Sequence, residues 1–498
     1  MTGALLAREG YRVTVLEKNR TFGGGIQSFR RKGFPFDPCM HVFGGMQPGG
    51  NLRKILDYLG IADRLRFVPC HDTLVYDGTI LPLPFGREAW IEAIGDGNHK
   101  EELTAYVDSL YALADTEDLF CMRPSTGIPR EAENITAKAL IERHISDPRL
   151  RDRLSYIAHL YDGTDDSPAL LHALTSVLHI DGIWRLSPSA NTLADALAGI
   201  IVAAGGEIHT GCEVTAIEAD GKTATAACCG DRRFSADSYV CDLAIGAVMR
   251  LAPQQAFSPA FRRRMAEARQ CCSAFCVYGI LKPHAVPHEE RGYHVLRRGA
   301  SPWDMARCTP GEWPHNLFVM TTPATDDPRY AATFTLVAPM DYSFVRPWEH
   351  STLGHRPDDY RQWKEQMAAK ALRLAEEAVG PLATEYVESA SPLTLRDYNG
   401  TTDGSCYGLH ATVQNPALTT LAPRTRLDNL FLTGQDVNFH GMVGTSLTAI
   451  LTAEAIVGRN TIVNRINNNT ITNNRASHSS PKLGEVPQRG GGVCPNNQ

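Results

Sequence analysis

The sequence contains no apolar run long enough to cross a membrane. Such a helix needs roughly 20 consecutive residues, and the best stretch, Ala198 to Gly206, falls well short of that. Excess positive charge is missing too: 49 Lys and Arg face 55 Asp and Glu, a net charge of −6. No global basic field therefore draws nucleic acid. No basic n-region followed by an apolar h-region stands near Met1, so secretion is not expected. The phosphate loop G-x-x-x-x-G-K-S/T, the zinc-protease helix H-E-x-x-H and the nucleophile elbow G-x-S-x-G are all absent. P-loop hydrolysis, zincin proteolysis and α/β-hydrolase chemistry lose their support with them.

Cysteine, by contrast, is plentiful. Thirteen occur, an odd number, with Cys228–Cys229 and Cys271–Cys272 adjacent and no C-x-x-C pair. That arrangement suits buried free thiols in a reducing cytoplasm better than a disulfide framework. No metal site is expected, because ligand pairs at zinc spacing are lacking. With 43% apolar and 21% charged residues the composition is that of a globular protein, and 498 residues suggest two or three domains.

The N-terminal grammar is more specific. Residues 2–9 read as a helix, Gly10 as its left-handed terminator, and Tyr11 to Leu16 as a strand with Glu17 at its end. Helix, turn, strand and terminal acid form the second half of a dinucleotide-binding βαβ unit, in which the acid takes a ribose hydroxyl. The glycine fingerprint of that unit lies about 20 residues before the acid. It and the central strand ahead of it are therefore expected upstream of Met1, with the chain opening inside the first helix. Strands flanking that position would carry unpaired ladder groups at about 1–3 kcal/mol each.

Helical periodicity follows over 51–59, 100–120, 136–145, 148–161, 168–180 and 356–378, with another helix from Asn191 to Gly205. Strand patterns cover 207–210, 213–218, 223–228, 232–240, 271–282, 316–322, 332–339 and 430–433. Residues 459–498, dense in Asn and then Gly, Pro and Ser, read as a disordered tail.

Six segments carry candidate chemistry. VTVLEKN (13–19) is followed by FGGGIQSF (22–29) and FPFDPCMHVFGG (34–45). Then come GEIHTGCEVTAIE (206–218), SPLTLRDYNGTTDGSCYGL (391–409) and NLFLTGQDVNFHGMVGTSLTAILTAE (429–454). In this order they resemble the FAD-dependent amine-oxidase-like superfamily, and within it the branch of phytoene desaturases, carotenoid isomerases and retinol saturases. The likeness covers roughly residues 3–458. Two departures stand out: Gly25 where many relatives carry Arg, and Cys39 where a Gly usually follows the Asp.

The resemblance implies an α/β fold, with a Rossmann-like FAD-binding domain truncated at its N-terminus and an inserted α+β substrate domain. The first would be assembled from 1–75, 185–258 and 405–458, the second from 76–184 and 259–404. It assigns FAD binding to Glu17, Lys18, Gly23, Gly24, Ser28, Val214, Gly434, Asp436, Gly441 and Val443. Val214 would give a backbone contact to the adenine, and Asp436 would hold the ribityl chain. A strand ending in Gly434, an acid, and Gly441 opening a helix suit that task, since helix N-terminal amides favour negative charge.

Tyr398, Tyr407 and His440 are the catalytic candidates on a flavin-facing wall. The implied reaction is desaturation, saturation or isomerisation at C–C or C=C bonds of a long apolar isoprenoid. The alternatives are an amine- or porphyrinogen-type flavin oxidase, and a truncated inactive paralogue that only binds apolar ligand. Arg262-Arg263-Arg264, following Phe257 and Phe261, reads first as a solvated face and second as a peripheral membrane contact. No protein partner is identified.

Overall fold

The computed structural model describes residues 1–125, 134–303, 305–415 and 421–478. Every residue of the strand Ser273–Leu281 is buried, as happens when both faces of a sheet are covered. Its sheet has eight strands. Seven run in the order Thr384–Ala390, Ser273–Leu281, Ala331–Met340, Asn316–Pro323, Arg291–Leu296, Arg66–Tyr76 and Thr79–Leu83, and Ile183–Ser187 pairs with the first half of Arg66–Tyr76. All neighbours are antiparallel except Arg291–Leu296, which runs parallel to residues 71–76.

The helix Asp358–Val379 packs Met367, Ala368, Ala371 and Ala375 against Phe275, Val277 and Leu336 of this sheet. Asp358 and Asp359 in its first turn complement the positive end of the helix dipole. The helices Lys100–Ala114, Ala137–His144 and Ala169–Asp181 form a second layer on Leu74, Leu81 and Leu83.

The rest is built on parallel ribbons. Thr14–Leu16 pairs with Glu207–His209, and Tyr239–Cys241 pairs with Leu430–Leu432. Among the described residues these two ribbons do not hydrogen-bond to each other. The helices Thr2–Arg8, Asn191–Ala203 and Gly441–Val457 pack together through Leu5, Leu193, Leu197 and Ile450. The Thr2 and Thr433 hydroxyls, 2.9 Å apart, tie the first helix to the end of the Leu430–Leu432 strand. A three-stranded antiparallel sheet of Ala216–Asp220, Thr223–Cys229 and Arg232–Phe234 flanks them.

Three expectations need correction. The strand expected over 232–240 is two strands in different sheets, Arg232–Phe234 and Tyr239–Cys241. Between them the Ala236 N–H donates to the Tyr239 hydroxyl at 3.0 Å, which turns the chain. The helix expected over 100–120 ends at Ala114. Thr461–His478, expected to be disordered, is a helix. Ile462, Val463 and Ile466 give it an apolar face that is buried with Leu52, Ile55 and Ile450. Residues 479–498 lie outside the described residues.

No single helix among the described residues is long and apolar enough to cross a membrane; Gly441–Val457 and Thr461–Thr470 are bent by 118° relative to each other. The strands Arg66–Tyr76 and Ile183–Ser187 pair across the domain boundaries expected near 75 and 185.

Candidate functional site

The strand Leu430–Leu432 runs into Gly434, whose φ of 94° belongs to the left-handed region. A Cβ there would lie 2.4 Å from the Asp242 Oδ1, so the turn requires glycine. Asp436 follows, 5% exposed. Its Oδ2 accepts the Ile245 N–H at 2.8 Å, while Oδ1 has no hydrogen-bond partner. Burial pushes this carboxyl above its usual range, against the opposing effects of the Ile245 and Leu409 N–H groups. Gly408, at φ 76°, approaches so closely that a Cβ there would lie 2.2 Å from the same Oδ1. Gly441 then opens the helix Gly441–Val457 at φ 72°, with open space where a side chain would stand. The Val443 side chain turns inward to the core, leaving its backbone in the first turn.

On the other side of the same turn lies a small cavity of about 50 Å³. Gln435, Asn438, Phe439 and His440 line it together with Tyr161, Leu170, Leu171, Cys271, Tyr407 and Leu409. The rings of Tyr407 and His440 are 5.0 Å apart. Burial pushes the Tyr407 hydroxyl well up, and lowers His440 to about 4, so at neutral pH the pair is a neutral phenol beside a neutral imidazole. Tyr161 extends the wall inward, since its hydroxyl meets His172 Nδ1 at 2.8 Å and His172 Nε2 meets the Tyr106 hydroxyl at 2.7 Å.

The remaining expected residues fall into two groups. Ser28 donates to Asp37 Oδ1 at 2.5 Å and accepts the Asn191 N–H at 3.2 Å, which seats the glycine segment on the start of the helix Asn191–Ala203. Gly23 fits there closely, because a Cβ would come within 3.0 Å of Ala194 Cβ; Gly24 has open space beside it. Glu17 accepts the Asn19 N–H at 2.7 Å. Lys18 donates to the Asp397 carbonyl at 3.0 Å and Asn19 to the Tyr398 carbonyl at 3.1 Å, bolting this loop to the helix Pro392–Asn399.

Leu16 and Val214 pack on the apolar cluster that also holds Leu430 and Val437, so the surroundings of Glu17 and Asp436 share one support. Tyr398 stands apart from the catalytic candidates: its side chain is 52% exposed and does not line the cavity with Tyr407 and His440. Tyr161, Leu170, Leu171 and Cys271 were not singled out from the sequence. No local motif marks them; only the fold brings them here.

A buried carboxylate oxygen without a partner, two glycines that keep side chains away, and an open helix N-terminus fit a polyhydroxylated chain attached to an electron-accepting ring. The sequence pattern of flavin-containing amine oxidoreductases matches residues 1–457. The chain belongs to this family.

As a flavin-containing amine oxidoreductase it has relatives across its length. It is 23% identical over 518 residues to the all-trans-retinol 13,14-reductase of Rattus norvegicus, covering 92% of this chain and 84% of that one. It is 24% identical over 235 residues to the 4,4'-diaponeurosporene oxygenase of Staphylococcus haemolyticus, covering 43% and 46%. Its fold matches that of an oxidoreductase from Methanosarcina mazei with a TM-score of 0.61 at 16% identity, over 90% of this chain and 96% of that one. This flavin-dependent oxidoreductase thus carries the α/β cofactor fold with a substrate domain that the sequence implied.

Proposed function

We propose that this enzyme uses FAD to act on carbon–carbon double bonds of a long apolar isoprenoid, a retinoid- or carotenoid-like polyene. The observation that carries the reading is the turn 434–440. On one side it presents the Asp436 carboxylate oxygen that lacks a well-formed hydrogen bond, and on the other it lines a small cavity of about 50 Å³ with Phe439 and His440 beside Gln435 and Asn438. Similarity to the retinol reductase over 92% of the chain supports the substrate class. When bound, the flavin supplies hydride exchange.

The protein's own groups supply the rest. Asp436 would accept ribityl hydroxyls, and the amides at Gly441 to Val443 would stabilise negative charge on the ring. Glu17, at the strand end, would take the adenosine ribose, and Val214 would offer its backbone to the adenine. Leu170, Leu171 and Phe439 exclude water. Tyr407 Oη holds a proton, and His440, neutral, accepts or returns one, as addition or removal of hydrogen across a double bond requires.

A reducing cytoplasm fits buried free thiols such as those of Cys70, Cys241 and Cys276. The aromatic residues beside the basic run, read second as a peripheral membrane contact, are folded inward, with Phe257 buried and stacked on Phe261 at 5.1 Å. A membrane contact is therefore no part of the proposal.

The test is incubation of the FAD-loaded protein with retinoids and carotenoids, read by chromatography, beside oxygen uptake with amines. A changed polyene and no amine-dependent oxygen uptake are expected. Amine oxidation with untouched polyenes would overturn the reading.

A further inference from the structure

A buried cluster in the substrate domain lies outside the flavin site. Asp72 is on the strand Arg66–Tyr76, His294 on the neighbouring Arg291–Leu296, and His179 in the last turn of the helix Ala169–Asp181. Asp72 Oδ2 is 2.6 Å from His179 Nδ1, and Asp72 Oδ1 is 2.8 Å from His294 Nε2. The three side chains are 4%, 8% and 1% exposed for Asp72, His179 and His294.

Donor and acceptor roles can be followed through this cluster. The Tyr156 carbonyl can only accept, so His159 Nδ1, 2.8 Å away, carries a hydrogen. His159 is buried, and its ring nitrogens meet only this carbonyl and His294. It is therefore neutral, with a bare Nε2. His294 Nδ1, 3.2 Å from that Nε2, must be the donor. This leaves His294 Nε2 facing a carboxylate oxygen at 2.8 Å, and two lone pairs at that distance repel. A positive centre must sit between them.

We propose that this centre is a divalent transition-metal ion of the zinc class, held by Asp72, His179 and His294. Three arguments favour a metal over a proton. Both histidines turn a ring nitrogen onto the same carboxylate, and the three ligand atoms lie within 4.8 Å of one another. Tetrahedral ligands about 2.0–2.1 Å from a shared ion sit about 3.3 Å apart, so the two carboxylate–imidazole contacts of 2.6 and 2.8 Å would open by roughly half an ångström to admit one. His294 donates its other N–H to a fixed acceptor, the arrangement that orients metal-bound histidines.

The second carboxylate–histidine cluster provides the contrast. Asp162 Oδ2 meets His410 Nδ1 at 3.2 Å, but Arg269 and Arg307 stand 3.9 and 3.6 Å from the same oxygen. Those guanidinium charges compensate the carboxylate and repel a further cation. Among the described residues, Asp72 is ion-paired with His179 and His294 alone, and no guanidinium takes that place. The ion would clamp two strands to the helix whose first residues, Leu170 and Leu171, line the cavity.

The experiment uses the full chain, stripped with a chelator and titrated with Co²⁺ and then Zn²⁺, with bound metal measured directly. One Co²⁺ per chain is expected, with the visible absorption of a low-coordinate site, bleached when Zn²⁺ displaces it. Asp72→Asn and His294→Gln should abolish that absorption, and His159→Phe should weaken binding about 10–100-fold. If a core variant fails to fold, His179→Gln at the rim supplies the same comparison. No saturable uptake, or uptake unchanged in the soluble variants, would overturn the proposal and leave a metal-free hydrogen-bonded network.

Discussion

Asp436 accepts the backbone N–H of Ile245 at 2.8 Å. Ile245 starts the helix that follows the strand Tyr239–Cys241, and Asp436 follows Leu430–Leu432, its parallel neighbour. One carboxylate oxygen thus locks together the turns at the C-terminal ends of two adjacent parallel strands. Ligands of open α/β sheets bind at such ends. The second oxygen makes no well-formed hydrogen bond, although the Leu409 N–H approaches the carboxylate, and it can still accept a hydroxyl.

Asp436→Ala removes both roles. The freed Ile245 N–H costs about 1–3 kcal/mol, and the cofactor loses its buried acceptor. Purified variant should retain at least about tenfold less flavin than wild type, a loss of about 1.4 kcal/mol in binding. Absorbance of the bound cofactor and a thermal melt of the same sample measure both effects. Full flavin occupancy in the variant would contradict the role given to this residue.

Two glycines in the left-handed region should respond unequally to alanine. At Gly408 the new Cβ meets Asp436 Oδ1 at 2.2 Å, whereas at Gly441 it meets nothing within 4 Å. Both pay the backbone strain of about 1–2 kcal/mol. Gly408→Ala alone also displaces the carboxylate, so it should lose flavin while Gly441→Ala keeps most of it.

Among the aromatic candidates, Tyr407→Phe and His440→Gln should lower turnover by about 10²–10⁴-fold if either handles the proton. Tyr398→Phe, on a half-exposed side chain, should stay within about twofold of wild type. Steady-state rates at saturating polyene separate the two classes. A large loss at Tyr398 would place the wall on the wrong side of the helix Pro392–Asn399.

Acid should destabilise the protein in a defined window. Burial holds His41 and His440 at about 4 and His172 at about 3, while unfolding returns each to about 6.5. The unfolded chain therefore binds protons first, and stability present above about pH 6.5 falls as the pH drops towards 4. Burial raises Glu290, but hydrogen bonds from His288 and Arg185 outweigh it and hold it at about 2, so its contribution survives until the pH falls below 4.5. Urea midpoints at pH 7.5 and 5.0 should differ, and His41→Phe should flatten the dependence by one proton. Equal midpoints at both pH values would contradict the burial of these rings.

Local signals made the cofactor half legible. Gly10, Glu17, Gly434, Asp436 and Gly441 sit where turn chemistry and strand ends placed them, because each answers to residues within a few positions. The long helix Asp358–Val379 and the strand Ser273–Leu281 were readable from periodicity and from unbroken apolar character. The strands Arg66–Tyr76 and Arg291–Leu296 were not, since polar residues such as Asp72 and His294 break both patterns. Those residues are buried because their polar atoms face each other at 2.8 Å across 222 positions of the chain, with His179 on the same carboxylate. The cavity wall escaped for the same reason: Tyr161 and Cys271 come from segments that meet only in the folded chain. In the tail, asparagines obscured the short apolar spacing of Ile462, Val463 and Ile466.

The most direct test of the account is a spectral titration of the purified protein and its Asp436→Ala variant with FAD. Saturable uptake of one flavin per chain by the wild type, with strongly weakened uptake by the variant, is the predicted result. No uptake by the wild type, or equal uptake by both, would contradict it.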